Sequence, residues 1–238
     1  MLFFYIRHGD PIYNPDSLTE LGQKQAKALV PRLTAYGLDK IYASSSNRAI
    51  MTAAPTAEAL GIEPTILDWA NEGHAFKELA VMTEEGKRKW CWAIPEFRRL
   101  FVSPEMTALG NKWYDHSAFE GTTIKEGYLR IANAADGLFA SLGYVRDTEG
   151  DFYRVEKHNE DRVALFAHEG FGAAFLSHVL GIPYPLYSSH FSLSHSSMTV
   201  IEFENEDGIC IPKALEVSCD SHIYRENLPL AYQNRIYF

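Results

Sequence analysis

Short, uninterrupted apolar runs alternate with segments of helical periodicity over the first third of the chain. Residues 2–6 (LFFYI), 40–43 (KIYA) and 65–67 have the length and composition of strands that are buried on both faces of a parallel sheet. The segments between them, Leu18–Tyr36 and Asn47–Leu60, place apolar residues at helical spacing. This β-α-β-α-β order predicts an α/β fold, a three-layer sandwich with a mostly parallel central sheet between helices.

The second half of the chain returns to the same alternation. Its expected elements are a helix over 123–142, a strand over 163–167, a helix over 170–180, and strands over 198–203 and 209–217. Thr123 and Glu126 have the spacing of a capping box at the start of the first of these helices. The last two strands are close enough in sequence to pair as a hairpin through residues 205–208.

Residues 69–120 interrupt this alternation and contain all four tryptophans of the chain. We expect a single domain over residues 1–238, with a helical insertion, or cap, at about 69–120 that covers the active-site edge. Its aromatic side chains either dock the insertion onto the body of the domain or form the wall of a ligand pocket. Both roles are compatible, because pockets are lined mainly by apolar and aromatic groups.

Charge and cysteine content narrow the class of function. The 238 residues include 31 acidic and 22 basic side chains, a formal net charge of −9. Such a surface repels phosphate backbones and anionic lipid, so we expect neither a nucleic acid nor a membrane as partner. Cys91, Cys210 and Cys219 lack the spacing of a disulfide framework or a zinc site. The apolar run at 2–6 is too short for a signal peptide, which favours a cytoplasmic protein.

Side chains suited to chemistry follow three of the predicted strands. Arg7 and His8 follow the first strand, Arg48 lies near the start of the helix after the second, and His168 and Glu169 follow the strand at 163–167. The carboxyl ends of parallel strands meet at one edge of the sheet, where ligands bind in α/β folds. Helix N-termini attract anions and guanidinium groups bind phosphate bidentately. The sequence therefore predicts a phosphate-binding site at this edge.

The motifs around these residues resemble those of the histidine phosphatase superfamily, in its phosphoglycerate-mutase-like branch. Arg7-His8-Gly9 matches the RHG motif of that family, and Asn14 lies where the family usually keeps an asparagine. Three further segments match family motifs in order: 18–26 (LTELGQKQA) fits LTxxGxxQA, 39–53 fits DxIYxSxxxRAxxTA, and 163–170 resembles the strand that ends in the second histidine.

The resemblance implies a phosphomonoester hydrolase that acts on a small phosphorylated metabolite. His8 would attack phosphorus in line, and water would then hydrolyse the phosphohistidine. Cationic groups would bind the phosphoryl oxygens, where negative charge is spread in the transition state, so no metal ion or other cofactor is expected. The phosphate-binding set implied in this way is Arg7, Asn14, Arg48, His168 and Glu169.

The resemblance also implies an acid that protonates the leaving group, supplied by a carboxylate after the third strand. The candidates are Asp68, Glu72 and Glu78. We expect Glu72, which follows a short apolar lead-in as the acid of the family typically does, and Asp68 is the alternative. Two further histidines, His74 in the segment of the candidate acids and His195 before the strand at 198–203, could each line the pocket, but a structural role is favoured for both.

Two other functions remain open at this point. A phosphoglycerate-type mutase would return the phosphoryl group to its substrate, and a non-catalytic protein would bind a phosphorylated ligand without turnover. Asp10-Pro11 replaces the Glu-Thr or Glu-Ser common after RHG, and the loop from Asn14 to Leu18 lacks the basic segment of mutases. These departures favour hydrolysis, and the intact set of cationic and imidazole side chains favours an enzyme. We expect a monomer or a homodimer.

Overall fold

The structure, a computed structural model, describes residues 1–147 and 149–230. The strands in these residues are β1 (Leu2–Arg7), β2 (Pro11–Tyr13), β3 (Asp16–Leu18), β4 (Lys40–Ser44), β5 (Thr65–Leu67), β6 (Ala80–Met82), β7 (Arg88–Trp90), β8 (Tyr144–Arg146), β9 (Tyr153–Val155), β10 (Arg162–Ala167), β11 (Met198–Glu202), β12 (Ile209–Cys210) and β13 (Lys213–Cys219).

The α-helices in the same residues are α1 (Glu20–Tyr36), α2 (Asn47–Leu60), α3 (Glu72–Leu79), α4 (Pro95–Phe101), α5 (Pro104–Leu109), α6 (Ile124–Ser141), α7 (Glu169–Leu180), α8 (Tyr184–His190) and α9 (Ser221–Arg225). Short 3-10 helices lie at Asp68–Ala70, Cys91–Ala93, Gly110–Asp115 and Ser117–Phe119. None of the described helices combines the length and the apolar character needed to cross a membrane.

The main sheet has six strands in the order β13-β11-β1-β10-β4-β5. The pairs β1–β10, β10–β4 and β4–β5 are parallel. Strand β11 is antiparallel to both of its neighbours, β1 and β13, so the other five strands of the sheet run in one direction. The predicted mostly parallel sheet is confirmed.

The two faces of the sheet bury separate cores, because successive side chains of a strand point to opposite faces. In β1, Phe4 and Ile6 join a core that includes buried residues of α1 and α2. Phe3 and Tyr5 join a larger core on the opposite face, with buried residues of α6 and α7. This arrangement confirms the three-layer α/β fold and explains why β1 has no polar alternation.

The tryptophans of segment 69–120 divide between two environments. Trp113 is fully buried, and the ring of Trp69 packs 5.7 Å from that of Phe171 in α7. Trp90 and Trp92 are half-buried and stack on each other, with ring centroids 4.5 Å apart. Trp113 and Trp69 therefore dock the segment onto the body of the protein, whereas Trp90 and Trp92 pair with each other; Trp69 is half-buried as well.

The predicted capping box at the start of α6 is wrong. Thr123 occupies the N-cap position, but its side chain makes no hydrogen bond to the helix. Its hydroxyl instead donates to the carbonyl of Glu78, at 2.9 Å. The backbone of Thr123 has φ −96° and ψ 11°, outside the extended conformation from which an N-cap side chain reaches the helix.

The predicted pairing of the last two strands is confirmed, because β11 and β13 pair antiparallel, but residues 205–208 do not connect them directly as a hairpin. Residues 205–208 lead from β11 into β12, which pairs with β9 in a separate three-stranded sheet, β12-β9-β8. The chain then returns as β13 to pair with β11. Pro212 lies between β12 and β13, and its missing N–H prevents one continuous strand there.

Two glycines hold the segment after β1 against α1. A Cβ on Gly22 would lie 2.2 Å from the carbonyl oxygen of Asp10, and one on Gly9 would lie 2.6 Å from the carbonyl oxygen of Gly22. The N–H of Gly9 donates to Thr52 Oγ1 at 3.0 Å, and that of Asp10 donates to Gln25 Oε1 at 2.8 Å. Helices α1 and α2 thus fix the backbone around His8.

Replacement of Gly22 by alanine tests this contact. We expect Gly22→Ala to lower the free energy of unfolding by about 1–3 kcal/mol, because the new methyl group overlaps backbone that cannot move independently. Equilibrium unfolding in urea measures the change. Gly137→Ala in α6 is the matched control: Gly137 is exposed with no atom near its Cβ position, so it should gain about 0.5–1 kcal/mol. A Gly22→Ala protein as stable as Gly137→Ala would contradict the role given to this contact.

Candidate active site

The residues predicted to carry chemistry converge at the carboxyl edge of the main sheet. His8 follows β1 and His168 follows the adjacent β10, and their ring centroids lie 5.2 Å apart. Arg48 lies in the first turn of α2, the helix after β4, which is the next strand in the sheet. A cavity of about 590 Å³ opens here. Five predicted site residues line it: Arg7, His8, Arg48, Glu72 and Glu169.

His8 is buried, and the backbone of the next residue orients its ring. Nδ1 lies 2.7 Å from the carbonyl oxygen of Gly9. Because a carbonyl only accepts hydrogen bonds, Nδ1 carries the proton and Nε2 keeps its lone pair. Burial, with the charges of Arg7 and Arg48, lowers the pKa of His8 to about 3. The imidazole is therefore neutral at pH 7 and suited to nucleophilic attack.

Three buried nitrogen atoms around His8 have no hydrogen-bond partner in the protein. They are Nε of Arg7, Nε of Arg48 and Nδ1 of His168. An unpaired buried polar atom is costly, and these three lie together at one edge of the sheet, where a single ligand can pair with them. Each arises from a different strand end, and two belong to guanidinium groups, which bind phosphate oxygens. The arrangement is suited to binding a tetrahedral oxyanion beside His8.

The two guanidinium groups are each held by a carboxylate. Arg7 Nη1 lies 2.9 Å from Glu169 Oε2 and also donates to the carbonyl of Leu193. Arg48 Nη1 lies 2.7 Å from Asp16 Oδ1. His168 is fully buried, and its Nε2 lies 2.8 Å from the hydroxyl of Ser44. These contacts fix the side chains in place, so no reorganisation is needed when an anion binds.

Glu72 reaches from the start of α3 to the N-terminus of α7. Its carboxylate accepts hydrogen bonds from the N–H groups of Gly170, at 2.9 Å, and Phe171, at 3.4 Å. Burial raises the pKa of Glu72 to about 7, although these N–H groups and the nearby arginines oppose the shift. At neutral pH the carboxyl group can therefore both donate and accept a proton. A carboxylate in this position is suited to general acid–base chemistry.

The other two candidate acids lie elsewhere. Asp68 is exposed, accepts a hydrogen bond from Ser45 at 2.7 Å and pairs with His74 at 3.1 Å, and these contacts lower its pKa. Glu78 pairs with Arg130 at 2.6 Å. Neither residue lines the cavity that contains His8. Of the three carboxylates, the structure places Glu72 beside the nucleophile candidate.

Two members of the predicted phosphate-binding set differ from the expectation. Asn14 is exposed in the turn between β2 and β3 and does not line the cavity. Glu169 does line it, but its carboxylate contacts Arg7 and accepts a hydrogen bond from Ser192 at 2.7 Å. A carboxylate repels a phosphate, so the contacts of Glu169 suit it to hold Arg7 in place and not to bind an anion.

Sequence reasoning missed three residues of this region. Asp16, the partner of Arg48, lies in β3, and the ring of Tyr13 in β2 stacks 5.5 Å from the Arg48 guanidinium. His195, expected to be structural, has its ring 5.8 Å from that of His8 and its Nδ1 3.3 Å from Asp10. No local pattern marks these residues, because their positions depend on how the β2–β3 hairpin and the segment before β11 fold back to the edge.

The described residues contain neither a candidate metal centre nor a disulfide. No group of three or more His, Cys, Asp or Glu side chains within residues 1–147 and 149–230 has the geometry to hold a metal ion. The three cysteines are free thiols, and Cys91 and Cys210 are buried.

Comparison of the sequence with known proteins finds one matching family model and one similar protein. The family model of the histidine phosphatase superfamily (branch 1) matches residues 3–211. The PE-PGRS family protein PE_PGRS11 of Mycobacterium tuberculosis is 36% identical over 162 residues, which cover 59% of this chain. The alignment spans only 27% of the length of that relative.

Solved structures share the fold at low sequence identity. A mycobacterial glucosyl-3-phosphoglycerate phosphatase has 17% identity and a TM-score of 0.58, covering 91% of this chain and 98% of its own. A phosphoserine phosphatase mutant from Entamoeba histolytica has 16% identity and a TM-score of 0.60, covering 93% of this chain and 98% of its own. At these identities the likeness shows the fold.

The raised pKa of Glu72 predicts a pH-dependent effect on stability. The folded protein keeps a proton on Glu72 up to about pH 7, whereas the ordinary pKa near 4.5 means that the unfolded chain releases it earlier. Stability from this group is thus lost as pH rises through that window. Glu72→Gln lacks this titrating group and so does not lose stability in that window. The free energy of unfolding of the variant minus that of the native protein should therefore rise by roughly 2–3 kcal/mol between pH 4.5 and pH 7.5. Urea unfolding at a series of pH values measures this.

Asp68→Asn is the control for this measurement. The pKa of Asp68 is lowered, so its carboxylate is ionised in both states above pH 4.5. Its pair with His74 is exposed, so the effect of its replacement should vary with pH far less than that of Glu72→Gln. A Glu72→Gln difference that is equally flat would show that Glu72 does not have the environment described here.

Proposed function

The chain belongs to the histidine phosphatase superfamily (branch 1), and we propose that it hydrolyses a phosphomonoester of a small metabolite through a phosphohistidine on His8. One observation carries the proposal. The unprotonated Nε2 of a neutral, buried His8 lies in a cavity beside three buried nitrogen atoms that have no hydrogen-bond partner in the protein. A nucleophile surrounded by unpaired donors is the geometry that phosphoryl transfer requires.

The first step forms the phosphoenzyme. His8 Nε2 attacks the phosphorus atom with its lone pair, and the bond between phosphorus and the leaving oxygen breaks. Glu72, protonated below its pKa of about 7, gives its proton to that oxygen, so an alcohol departs. Glu72 becomes a carboxylate, stabilised by the N–H groups of Gly170 and Phe171.

The second step releases inorganic phosphate. Glu72 accepts a proton from a water molecule as the water oxygen attacks the phosphohistidine. The phosphorus–nitrogen bond breaks, and its electron pair returns to His8 Nε2. Both residues regain their initial states, and the sum of the steps is phosphomonoester plus water giving alcohol plus phosphate.

Arg7, Arg48 and His168 stabilise the equatorial oxygens of the transferring phosphoryl group in both steps. Burial and the neighbouring arginines lower the pKa of His168 in the free protein. A bound dianion favours the protonated imidazole and so opposes that shift. We propose that these groups supply the charge stabilisation without a metal ion, while Asp16 and Glu169 position the two guanidinium groups.

Replacement of the nucleophile tests the proposal directly. His8→Ala should lower phosphate release from 4-nitrophenyl phosphate by at least about a thousandfold, because it removes the imidazole that attacks phosphorus. It should also abolish the acid-labile, base-stable phosphoenzyme that rapid quench with labelled substrate detects. Assays in the presence of a chelator test whether a metal ion is needed.

His74→Ala is the matched control, since His74 is an exposed histidine outside the cavity, and it should keep native activity. Native turnover by His8→Ala would contradict the mechanism. The mutase alternative is tested with 3-phosphoglycerate, with and without 2,3-bisphosphoglycerate. Primer-dependent isomer formation with little free phosphate would overturn hydrolysis.

The role of Glu72 predicts a dependence on the leaving group. Glu72→Gln should lower kcat/KM for an alkyl phosphate by about 10²–10⁴-fold, because an alkoxide needs a proton to depart. The loss for 4-nitrophenyl phosphate should be smaller than about tenfold, since the nitrophenolate leaves without protonation. Because kcat/KM reports the steps up to formation of the phosphoenzyme, comparing its values for the two substrates leaves out the later hydrolysis of the phosphoenzyme. Asp68→Asn is the control, and a selective loss of alkyl phosphate turnover in Asp68→Asn would move the acid to Asp68.

A further inference from the structure

Trp90 and Trp92 form an aromatic wall on one side of the active-site cavity. Their rings stack with centroids 4.5 Å apart and planes inclined by 16°. Phe76 meets Trp90 edge-on at 5.1 Å, and Trp92 meets the buried Tyr184 edge-on at 6.4 Å. Phe76, Trp90 and Trp92 all line the cavity that contains His8. Packing on several sides therefore holds the wall rigid.

This wall lies beside the proposed acid. A Cβ on Gly170 would lie 2.3 Å from a ring atom of Trp90 and 2.6 Å from Glu72 Oε1. Trp90 and the Glu72 carboxylate thus abut the same backbone position at the start of α7. Since Glu72 gives its proton to the leaving oxygen, the leaving group must lie next to Glu72. It then also lies next to Trp90.

Their position at the cavity distinguishes these rings from packing residues. Trp113, in the same segment, is completely buried, whereas Trp90 and Trp92 are half-buried at the cavity. The cations among the described residues that line this cavity are Arg7 and Arg48, both assigned to the phosphoryl group. The leaving-group side therefore offers flat apolar surface and no added cation.

We propose that Trp90 is a specificity-determining residue that selects phosphomonoesters whose alcohol carries an aromatic ring close to the ester oxygen. The inference rests on the proposed hydrolase function and adds the substrate class. Burial of a ring against rigid indole surface removes apolar area from water and adds the favourable geometry of aromatic pairs. A small acyclic alcohol reaches Glu72 but gains neither contribution.

The test compares two esters with the same chemistry at the ester oxygen. 2-Phenylethyl phosphate and propyl phosphate both release a primary alcohol of similar acidity, so a difference in kcat/KM reports the ring. We expect the native protein to prefer 2-phenylethyl phosphate by at least about tenfold. Trp90→Ala and Trp90→Leu should reduce that preference to about twofold or less, whereas Trp90→Phe, which keeps a ring, should retain most of it.

Met82→Ala is the matched control, because Met82 is exposed on the same β6–β7 hairpin and does not line the cavity; its preference should equal that of the native protein. Equal kcat/KM of the native protein for the two esters would overturn the inference even if no Trp90 variant folds. An unchanged preference in folded Trp90→Leu would overturn it as well.

In both cases phosphate release that depends on His8 leaves the proposed function intact. Absence of phosphate release from both esters would overturn the function and the inference together.

Discussion

Close backbone contact between the segment after β1 and helix α1 is the constraint on which the site depends. Gly9 and Gly22 approach so closely that neither position accommodates a Cβ. The same segment donates the Gly9 N–H to Thr52, whose hydroxyl donates in turn to the carbonyl of Arg48 at 2.7 Å. One set of backbone contacts therefore fixes the orientation of His8 and its position relative to Arg48.

Burial then sets the protonation states that the proposed chemistry needs. Removal from water disfavours a charged group of either sign, so the same environment lowers the pKa of His8 to about 3 and raises that of Glu72 to about 7. The positive charges of Arg7 and Arg48 further disfavour protonation of the His8 imidazole. Asp16 and Glu169 each pair with one of them, which holds the cations rigid while their Nε atoms stay unpaired.

The N-terminus of α7 contacts both the proposed acid, Glu72, and the aromatic wall of the cavity. Gly170 donates its N–H to Glu72 and leaves room for the Trp90 ring above it. Any side chain at position 170 would displace both groups. The same backbone therefore positions the proposed acid, Glu72, and the proposed selective surface, Trp90.

The sequence by itself determined the main alternation of strands and helices, the three-layer fold and the convergence of His8, Arg48 and His168 at one edge of the sheet, and it offered Glu72 as one of three candidate acids. It did so because apolar runs are local, and because the ends of parallel strands meet at one edge whatever their separation along the chain. Only the tertiary structure decided which groups partner them. The hydrogen bond from Gly170 to Glu72 joins residues 98 positions apart, and contacts between such distant segments depend on packing geometry that periodicity does not encode. For the same reason only the folded chain shows three further features: β12 pairs with β9, Asn14 lies outside the cavity, and Trp90 and Trp92 form the aromatic wall.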